Sequence, residues 1–253
     1  MKIKYNSPMR FLKISLLFFS ISVFSQNNFT TPFGRGNGNQ STTYDECIAF
    51  YEKLDESFAN IQMIQKGTTD SGKPLHLVLF SSEGKFDFDE YFTKNKAVIL
   101  INNGIHAGEP DGIDATMMLM RDLAMGKIKT AKNTFIAAIP VYSVGGMLNR
   151  NSHSRANQNG PEEYGFRGNA RNYDLNRDFI KSDTKNSRSF QKLFTELNPD
   201  IFIDNHVSNG ADYQYTFTCI ATQHERLGNK LGNFFINELY PSVVKDMNKK
   251  NID

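Results

Sequence analysis

The chain has 253 residues, 39% of them hydrophobic, and it contains 21 Phe and 10 Tyr. This is enough apolar material for one large globular domain with a sizeable core. The formal charge is only +2, and the basic residues do not form a stripe along any segment. Composition therefore argues against a nucleic-acid interface, and we expect no nucleic-acid partner.

Residues 1–25 have the pattern of a secretory signal. Four basic residues precede an apolar run from Ile14 to Phe24, which is too short to span a bilayer comfortably. Cleavage near Ser25 would remove four positive charges and no acid, which changes the formal charge from +2 to −2. We therefore expect a secreted or periplasmic protein with no membrane partner after cleavage. The alternative is an uncleaved N-terminal anchor.

Residues 26–43 are rich in Asn, Thr, Gly and Gln, which predicts a flexible lead-in to a folded domain over residues 44–253. Between Tyr44 and Asn60 the apolar residues recur at helical spacing, so we predict a surface helix there. The apolar run from Pro74 to Phe80 predicts a strand, in which His76 is expected to be a packed residue. Cys47 and Cys219 are far apart in sequence, and their pairing is left open.

A β-branched apolar run from Ala97 to Ile101 predicts a buried strand, followed by a polar turn that carries His106 and Glu109. A helical pattern follows from Gly112 to Met125, and then a strand from Thr134 to Pro140. Strand, helix and strand in this order imply a right-handed crossover and parallel pairing, as in an α/β fold.

Between Val141 and Asp178 hydrophobic periodicity disappears, and Gly, Asn, Arg and Ser dominate. A loop of this length in a compact domain is either disordered or functional. Guanidinium groups suit bidentate capture of carboxylates, so we predict an anion-binding pocket, with a solvated basic loop as the alternative. The arginines of this loop are Arg150, Arg155, Arg167, Arg171 and Arg177.

A helix is predicted from Phe190 to Leu197, and a buried strand from Asp200 to Asp204 that ends in His206. Each of two apolar strands is therefore followed by a histidine at its carboxyl end, where α/β enzymes bind ligands. The H-x-x-E pair alone is weak evidence and is also compatible with a solvated loop. Together, His106, Glu109 and His206 form a His-Glu-His set that leaves room for water, as in catalytic zinc sites. His153 and His224 lie outside this set.

Three pieces of sequence resemble the zinc carboxypeptidase family of metallopeptidases: NNGIHAGEP from Asn102, DLNRDF from Asp174, and DNHVS from Asp204 to Ser208. The resemblance implies a mixed, largely parallel twisted sheet flanked by helices. It also implies that Zn²⁺ is bound by the three residues of the His-Glu-His set.

The same resemblance assigns roles to four further residues. Asp174 would hydrogen-bond the first zinc histidine and orient it, and Asn176 and Arg177 would hold the terminal carboxylate of the substrate. The family also uses an arginine between the first two pieces to polarise the scissile carbonyl. Arg155 is our choice for that role, and Arg150 is the reserve.

The family's general base is a glutamate well beyond the third zinc ligand, and its substrate-capping tyrosine falls in the same part. The resemblance therefore implies that residues 44–253 are the N-terminal two thirds of a catalytic domain, with the base expected beyond Asp253. The later glutamates of this chain, Glu225 and Glu238, lie in a helical pattern that fits a solvated face better.

These observations lead us to expect a zinc-dependent metallocarboxypeptidase that hydrolyses C-terminal peptide bonds of exported peptides with a free carboxylate. Two alternatives remain open at the level of sequence. One is a zinc-dependent deacylase of N-acyl amino acids. The other is a non-catalytic protein that binds peptides or carboxylates through the same pocket without the general base.

Overall fold

The computed structural model describes residues 29–87 and 96–252, so the predicted signal segment lies outside the described residues. A five-stranded sheet forms the centre of this part of the chain. In chain order the helices and strands are α1 (Pro32–Arg35), α2 (Tyr44–Ser57), β1 (Ile61–Thr68), β2 (Pro74–Ser81), β3 (Ala97–Asn102), α3 (Asp111–Ala124), β4 (Thr134–Ile139), α4 (Val144–Leu148), α5 (Lys185–Leu197), β5 (Ile201–Asp204), α6 (Gly228–Phe234) and α7 (Tyr240–Asn248). Short 3₁₀ turns lie at Leu175–Arg177 and His224–Leu227, and a π turn at Phe235–Leu239 precedes α7.

The strand order across the sheet is β1-β2-β4-β3-β5. β3 pairs in parallel with both β4 and β5, whereas β2 pairs antiparallel with β1 and β4. The prediction of a mixed sheet flanked by helices is confirmed, including the parallel pair that α3 connects. The antiparallel half comes from β1 and β2, so the sheet is parallel only on the side of β4, β3 and β5.

Apolar side chains pack on both faces of the sheet, as the alternation of β2 shows. Val78 and Phe80 lie in the cluster that includes the buried faces of α2 and α3, whereas Leu77 and Leu79 lie in the cluster covered by α5. Successive residues of a strand point to opposite faces, so a continuous apolar run such as PLHLVLF is what a strand covered on both sides requires. His76 is buried within this strand, as predicted.

The prediction that Asp200 to Asp204 forms a buried strand is wrong with respect to burial. β5 forms as a strand, but Ile201, Phe202 and Ile203 are 41%, 37% and 43% exposed. Among the described strands β5 pairs only with β3, and Phe202 packs its ring against two phenylalanines of α5 on one face. Within residues 29–87 and 96–252 no strand pairs with the other side of β5, which leaves these apolar side chains partly exposed in this part of the chain.

The segment before α2 is held against the domain by hydrogen bonds, although its composition predicts a flexible lead-in. Ser41 and Thr42 are buried, and the Ser41 hydroxyl donates to the carbonyl of Glu163 over 2.7 Å. Arg150 donates to the carbonyl of Thr42 over 2.9 Å and to that of Glu163 over 2.9 Å. Thr43 then begins α2 with a capping box that it shares with Glu46.

None of the helices in residues 29–87 and 96–252 is both long enough and apolar enough to cross a lipid bilayer. The helical segment from α6 to α7 carries several exposed apolar side chains. These are Leu231, Phe234, Ile236, Tyr240, Val243 and Val244.

A carboxyl group is buried between α3 and the segment before α2. Asp114 is 4% exposed, and its Oδ2 accepts from the backbone N–H of Thr42 over 3.3 Å. Its Oδ1 has no hydrogen-bond partner within residues 29–87 and 96–252. Burial raises the pKa of Asp114 to about 6. A carboxyl whose pKa is higher in the folded state destabilises the fold increasingly as the pH rises from its unfolded pKa to its folded pKa.

We therefore expect Asp114→Asn, which keeps an acceptor for Thr42 but carries no charge, to increase the free energy of unfolding at neutral pH. The gain is about 3 kcal/mol at pH 7.5 and roughly half of that at pH 5. Urea unfolding followed by far-UV circular dichroism at both pH values measures it.

Asp122→Asn on the same helix is the matched control. The hydrogen bond from Arg121 lowers the pKa of Asp122, so this substitution should reduce stability at neutral pH instead. A stability gain for Asp114→Asn that does not shrink between pH 7.5 and pH 5 would contradict the prediction.

Candidate metal centre

The parallel pairing of β3 with β5 brings the two histidine-bearing loops to the same edge of the sheet. The register places Asn102 opposite Asp204, the last residue of each strand. The chain turns after β3 at Gly104, whose φ of +63° is unfavourable for a side chain and whose Cβ position is 3.0 Å from an atom of Ile113. This tight turn packs the H-x-x-E segment against the start of α3.

The three predicted metal ligands meet at this edge. One ligand atom from each of His106, Glu109 and His206 lies within 4.8 Å of the other two. Glu109 is 3% exposed and sits between the rings, with Oε1 3.2 Å from His106 Nδ1 and Oε2 2.9 Å from His206 Nδ1. Two imidazole nitrogens and one carboxylate are the donor set of a catalytic zinc site with an open position, so the residues fit this metal.

Each histidine also turns its other ring nitrogen towards an aspartate. His106 Nε2 lies 2.8 Å from Asp174 Oδ1, and His206 Nε2 lies 3.1 Å from Asp204 Oδ2. Asp174 is fixed at the start of the 3₁₀ turn, where its side chain accepts from the backbone N–H of Asn176 over 3.0 Å. Both Nδ1 atoms therefore face the same point, and both Nε2 atoms face a carboxylate.

The electrostatics of the cluster follow from these contacts. Burial would raise the pKa of Glu109, but hydrogen bonds from His106, His206 and the N–H of Val207 outweigh burial and hold it below its usual range. Hydrogen bonds to Asp204 and Glu109 raise the pKa of His206 to about 9. Each imidazole thus has carboxylate oxygens beside both of its ring nitrogens, and this local negative charge favours binding of a divalent cation.

The structure places Arg155, our choice of carbonyl-polarising residue, directly beside the centre. Its side chain is 9% exposed, and Nη1 donates to Glu109 Oε1 over 3.1 Å. Nη2 donates to the carbonyl of Ser208 over 3.1 Å, and Nε donates to Gln158 over 2.7 Å. This guanidinium joins the loop after β3 to the loop after β5. The reserve, Arg150, is engaged with backbone carbonyls near Thr42 instead.

Arg167 is a second guanidinium at the centre, and sequence reasoning did not select it. Its Nη2 and Nε donate to Asp174 Oδ2 over 2.9 and 3.2 Å, and Nη1 lies 3.4 Å from His106 Nδ1 and 3.9 Å from Glu109 Oε1. The side chain is 41% exposed. Arg155 and Arg167 line a common cavity of about 320 Å³. Nothing in the sequence separates Arg167 from the other arginines of the loop.

Asn176 and Arg177, the predicted carboxylate-binding pair, lie at the rim of the centre. Asn176 Nδ2 is 3.5 Å from His206 Nε2. Arg177 is exposed and donates to the carbonyl of Asn176 over 3.0 Å. Within residues 29–87 and 96–252 its guanidinium forms no ion pair, so its charge is accessible to a ligand carboxylate.

The remaining candidates lie elsewhere. His153 is exposed, and His224 pairs with Glu225 on the surface. Glu238 is also exposed. Both cysteines are free, with Cys47 buried and Cys219 exposed.

The model of peptidase family M14, described as zinc carboxypeptidase, matches residues 47–217, which is more than half of the chain. The chain belongs to the zinc carboxypeptidase family. The matched range contains all three residues of the candidate metal centre and both of the arginines beside it.

Two curated carboxypeptidases resemble this chain at low identity. Probable carboxypeptidase 2 of Arthroderma benhamiae is 27% identical over 192 residues, covering 70% of this chain and 31% of that protein. Carboxypeptidase 2 of Trichophyton tonsurans is 26% identical over 183 residues, with coverage of 70% and 31%. The chain therefore spans about a third of the length of these relatives.

Solved structures share the fold of this chain. Carboxypeptidase A from Helicoverpa armigera superposes with a TM-score of 0.52 at 16% identity, covering 66% of this chain and 46% of that one. Thrombin activatable fibrinolysis inhibitor superposes with a TM-score of 0.54 at 15% identity, covering 80% and 57%. At such identities the likeness concerns the fold alone.

We expect Arg155→Met to reduce the free energy of unfolding by about 2 to 4 kcal/mol, because it leaves a buried carboxylate and the Ser208 carbonyl without this donor. Urea unfolding in the presence of a chelator measures the loss without any contribution from bound metal.

Arg171→Met is the matched control for this substitution. Arg171 is exposed and stacks on Tyr173, so its replacement should change stability by less than about 0.5 kcal/mol. Equal losses in the two variants would contradict the bridging role of Arg155.

Proposed function

We propose that this chain is the metal-binding part of a zinc-dependent metallocarboxypeptidase that hydrolyses C-terminal peptide bonds of exported peptides. One observation supports this most directly. His106 Nδ1, Glu109 and His206 Nδ1 converge on one point, with two guanidinium groups beside it. Membership of the zinc carboxypeptidase family supports the reaction class.

His106, Glu109 and His206 would hold the ion, which supplies Lewis acidity and lowers the pKa of a bound water. Around it, Arg155 and Arg167 provide positive charge where a carbonyl oxygen becomes negative during attack. We keep Arg155 as the polarising residue, and the position of Arg167 gives it the same capacity. The family resemblance implies a glutamate outside the described residues as acceptor of the water's proton.

Asn176 and Arg177 would bind the free carboxylate of the substrate. Arg177 is exposed, and among the described residues its guanidinium bonds only a backbone carbonyl, so a carboxylate can take the bidentate geometry that arginine favours. Asn176 lies close to His206, so the two residues link the bound terminus to the metal centre. The signal-like pattern of residues 1–25 supports a secreted or periplasmic location.

The metal assignment predicts that His106→Ala abolishes zinc retention after gel filtration, measured by elemental analysis. His153→Ala replaces an exposed histidine away from the centre and should retain zinc as the unaltered chain does. Undiminished zinc in His106→Ala would refute the ligand assignment.

The substrate assignment predicts that peptides with a free C-terminus bind more tightly than the same peptides with an amidated C-terminus. Arg177→Met should raise the dissociation constant for the free form by about 10- to 100-fold and leave the amidated form unchanged. Arg188→Met is the matched control, since Arg188 is exposed and also donates to backbone carbonyls. Isothermal titration of each of the two variants with the free and with the amidated peptide measures the effect.

Product analysis on the full-length protein then separates the reactions. Release of the C-terminal residue from free peptides is the expected result. Release of the acyl group from N-acyl amino acids in place of peptide cleavage would indicate the deacylase. Binding of free peptides without cleavage of either substrate would indicate the non-catalytic binding protein.

A further inference from the structure

The two histidines of the metal centre are supported by different parts of the fold. Asp174, which contacts His106, comes from the long loop and is held by Arg167. Asp204, which contacts His206, is the last residue of β5. The zinc carboxypeptidase resemblance assigned a role to the first aspartate only.

We propose that Asp204 is a positioning residue, which holds His206 in the orientation that a metal ligand needs, and that Asn102 in turn holds Asp204. This inference rests on the proposed function, because it concerns the third ligand of the proposed zinc site.

The contact between Asp204 and His206 decides which ring nitrogen keeps its hydrogen when a metal binds. A carboxylate oxygen only accepts hydrogen bonds, and both nitrogens of His206 face one: Nδ1 lies 2.9 Å from Glu109 Oε2, and Nε2 lies 3.1 Å from Asp204 Oδ2. A cation at the shared point of the centre would take the lone pair of Nδ1 in place of that hydrogen, while Asp204 keeps the hydrogen on Nε2. An outer carboxylate of this kind fixes the tautomer and the ring orientation of a ligating histidine.

Asn176 is the other group near this nitrogen, and it is the weaker partner. Its Nδ2 lies 3.5 Å from His206 Nε2, at the limit of a hydrogen bond. It is also a donor, so it could bond Nε2 only if that nitrogen carried no hydrogen. The charged and closer oxygen of Asp204 therefore prevails.

Asn102 fixes the carboxylate of Asp204 from the neighbouring strand. Its Nδ2 donates to Asp204 Oδ1 over 2.9 Å, and the two residues are paired in the register of β3 and β5. Asn102 is fully buried, and its Oδ1 has no hydrogen-bond partner among the residues that the structure describes. The amide is thus held in place by Asp204, and a chain of contacts runs from β3 through Asp204 to His206.

The residue just before β5 offers a matched control. Asp200 Oδ2 accepts from the backbone N–H of Val98 over 2.8 Å. This aspartate also joins the start of β5 to β3, but it lies four residues from Asp204, and its hydrogen bonds within the described part of the chain are to Val98. Replacing it removes a similar contact between the strands without touching His206.

The test measures the dissociation constant of zinc on the full chain by competition with a chromophoric chelator. Asp204→Ala should raise this constant by about 10- to 100-fold, and Asp200→Ala should leave it within about twofold. Asp204→Asn keeps an oxygen for the Nε2 hydrogen and should recover part of the affinity. The visible spectrum of bound Co²⁺, which reports ligand geometry, should change in Asp204→Ala and not in Asp200→Ala.

A double substitution tests the role of Asn102. Asn102→Ala should weaken zinc binding less than Asp204→Ala does, because the carboxylate remains but is less firmly held. The double variant should bind no more weakly than Asp204→Ala alone, since both substitutions act on one chain of contacts. Independent, additive losses would overturn the part assigned to Asn102.

The outcomes separate this inference from the function on which it rests. If the unaltered chain binds no zinc, both fail. If it binds zinc and Asp204→Ala binds equally well, or if Asp200→Ala weakens binding as much, only the positioning role fails. Should Asp204→Ala not fold, Asp204→Asn decides the question, with weaker zinc binding than the unaltered chain as the expected result and an equal constant as the refuting one.

Discussion

The candidate centre depends on the parallel pairing of β3 with β5. Because parallel strands end at the same edge of a sheet, the register of Asn102 with Asp204 fixes how far apart the two following loops can lie. The carboxylate of Glu109 then reaches both imidazoles, His106 at 3.2 Å and His206 at 2.9 Å. No single loop creates the cluster, since its ligands come from two segments about a hundred residues apart in sequence.

Around the ligands lies a second set of charged groups that belongs to the long loop and to the strand ends. The two aspartates beside the histidines and the two arginines beside Glu109 alternate in sign, so each charge has an opposite neighbour. Such alternation allows several ionised groups to share a partly buried space at a tolerable cost in desolvation. It also helps to fix the loop between β4 and α5, because Arg155 and Arg167 of this loop are bound to carboxylates.

Much of the parallel half of the sheet, and the three ligands, can be read from the sequence. The runs AVILI and TFIAAI are buried strands joined by a helix, and the histidines and glutamate follow strands whose order the crossover rule restricts. β1 gives no comparable signal, since in IQMIQKGT apolar and polar residues alternate only briefly. The exposure of β5 depends on which strand lies beside it. The contacts of Arg167 and Asp204 depend on the path that the chain takes in three dimensions. The spacing of residues along the sequence does not reveal this path.

The pairing of the two ligand-bearing strands has a consequence for the dynamics of the centre. His106 and Glu109 follow β3, and His206 follows β5, so a cation bound to all three would tie the ends of the two strands together. Local separation of β5 from β3 would then require release of the cation. Bound zinc should therefore slow amide hydrogen exchange where these two strands pair.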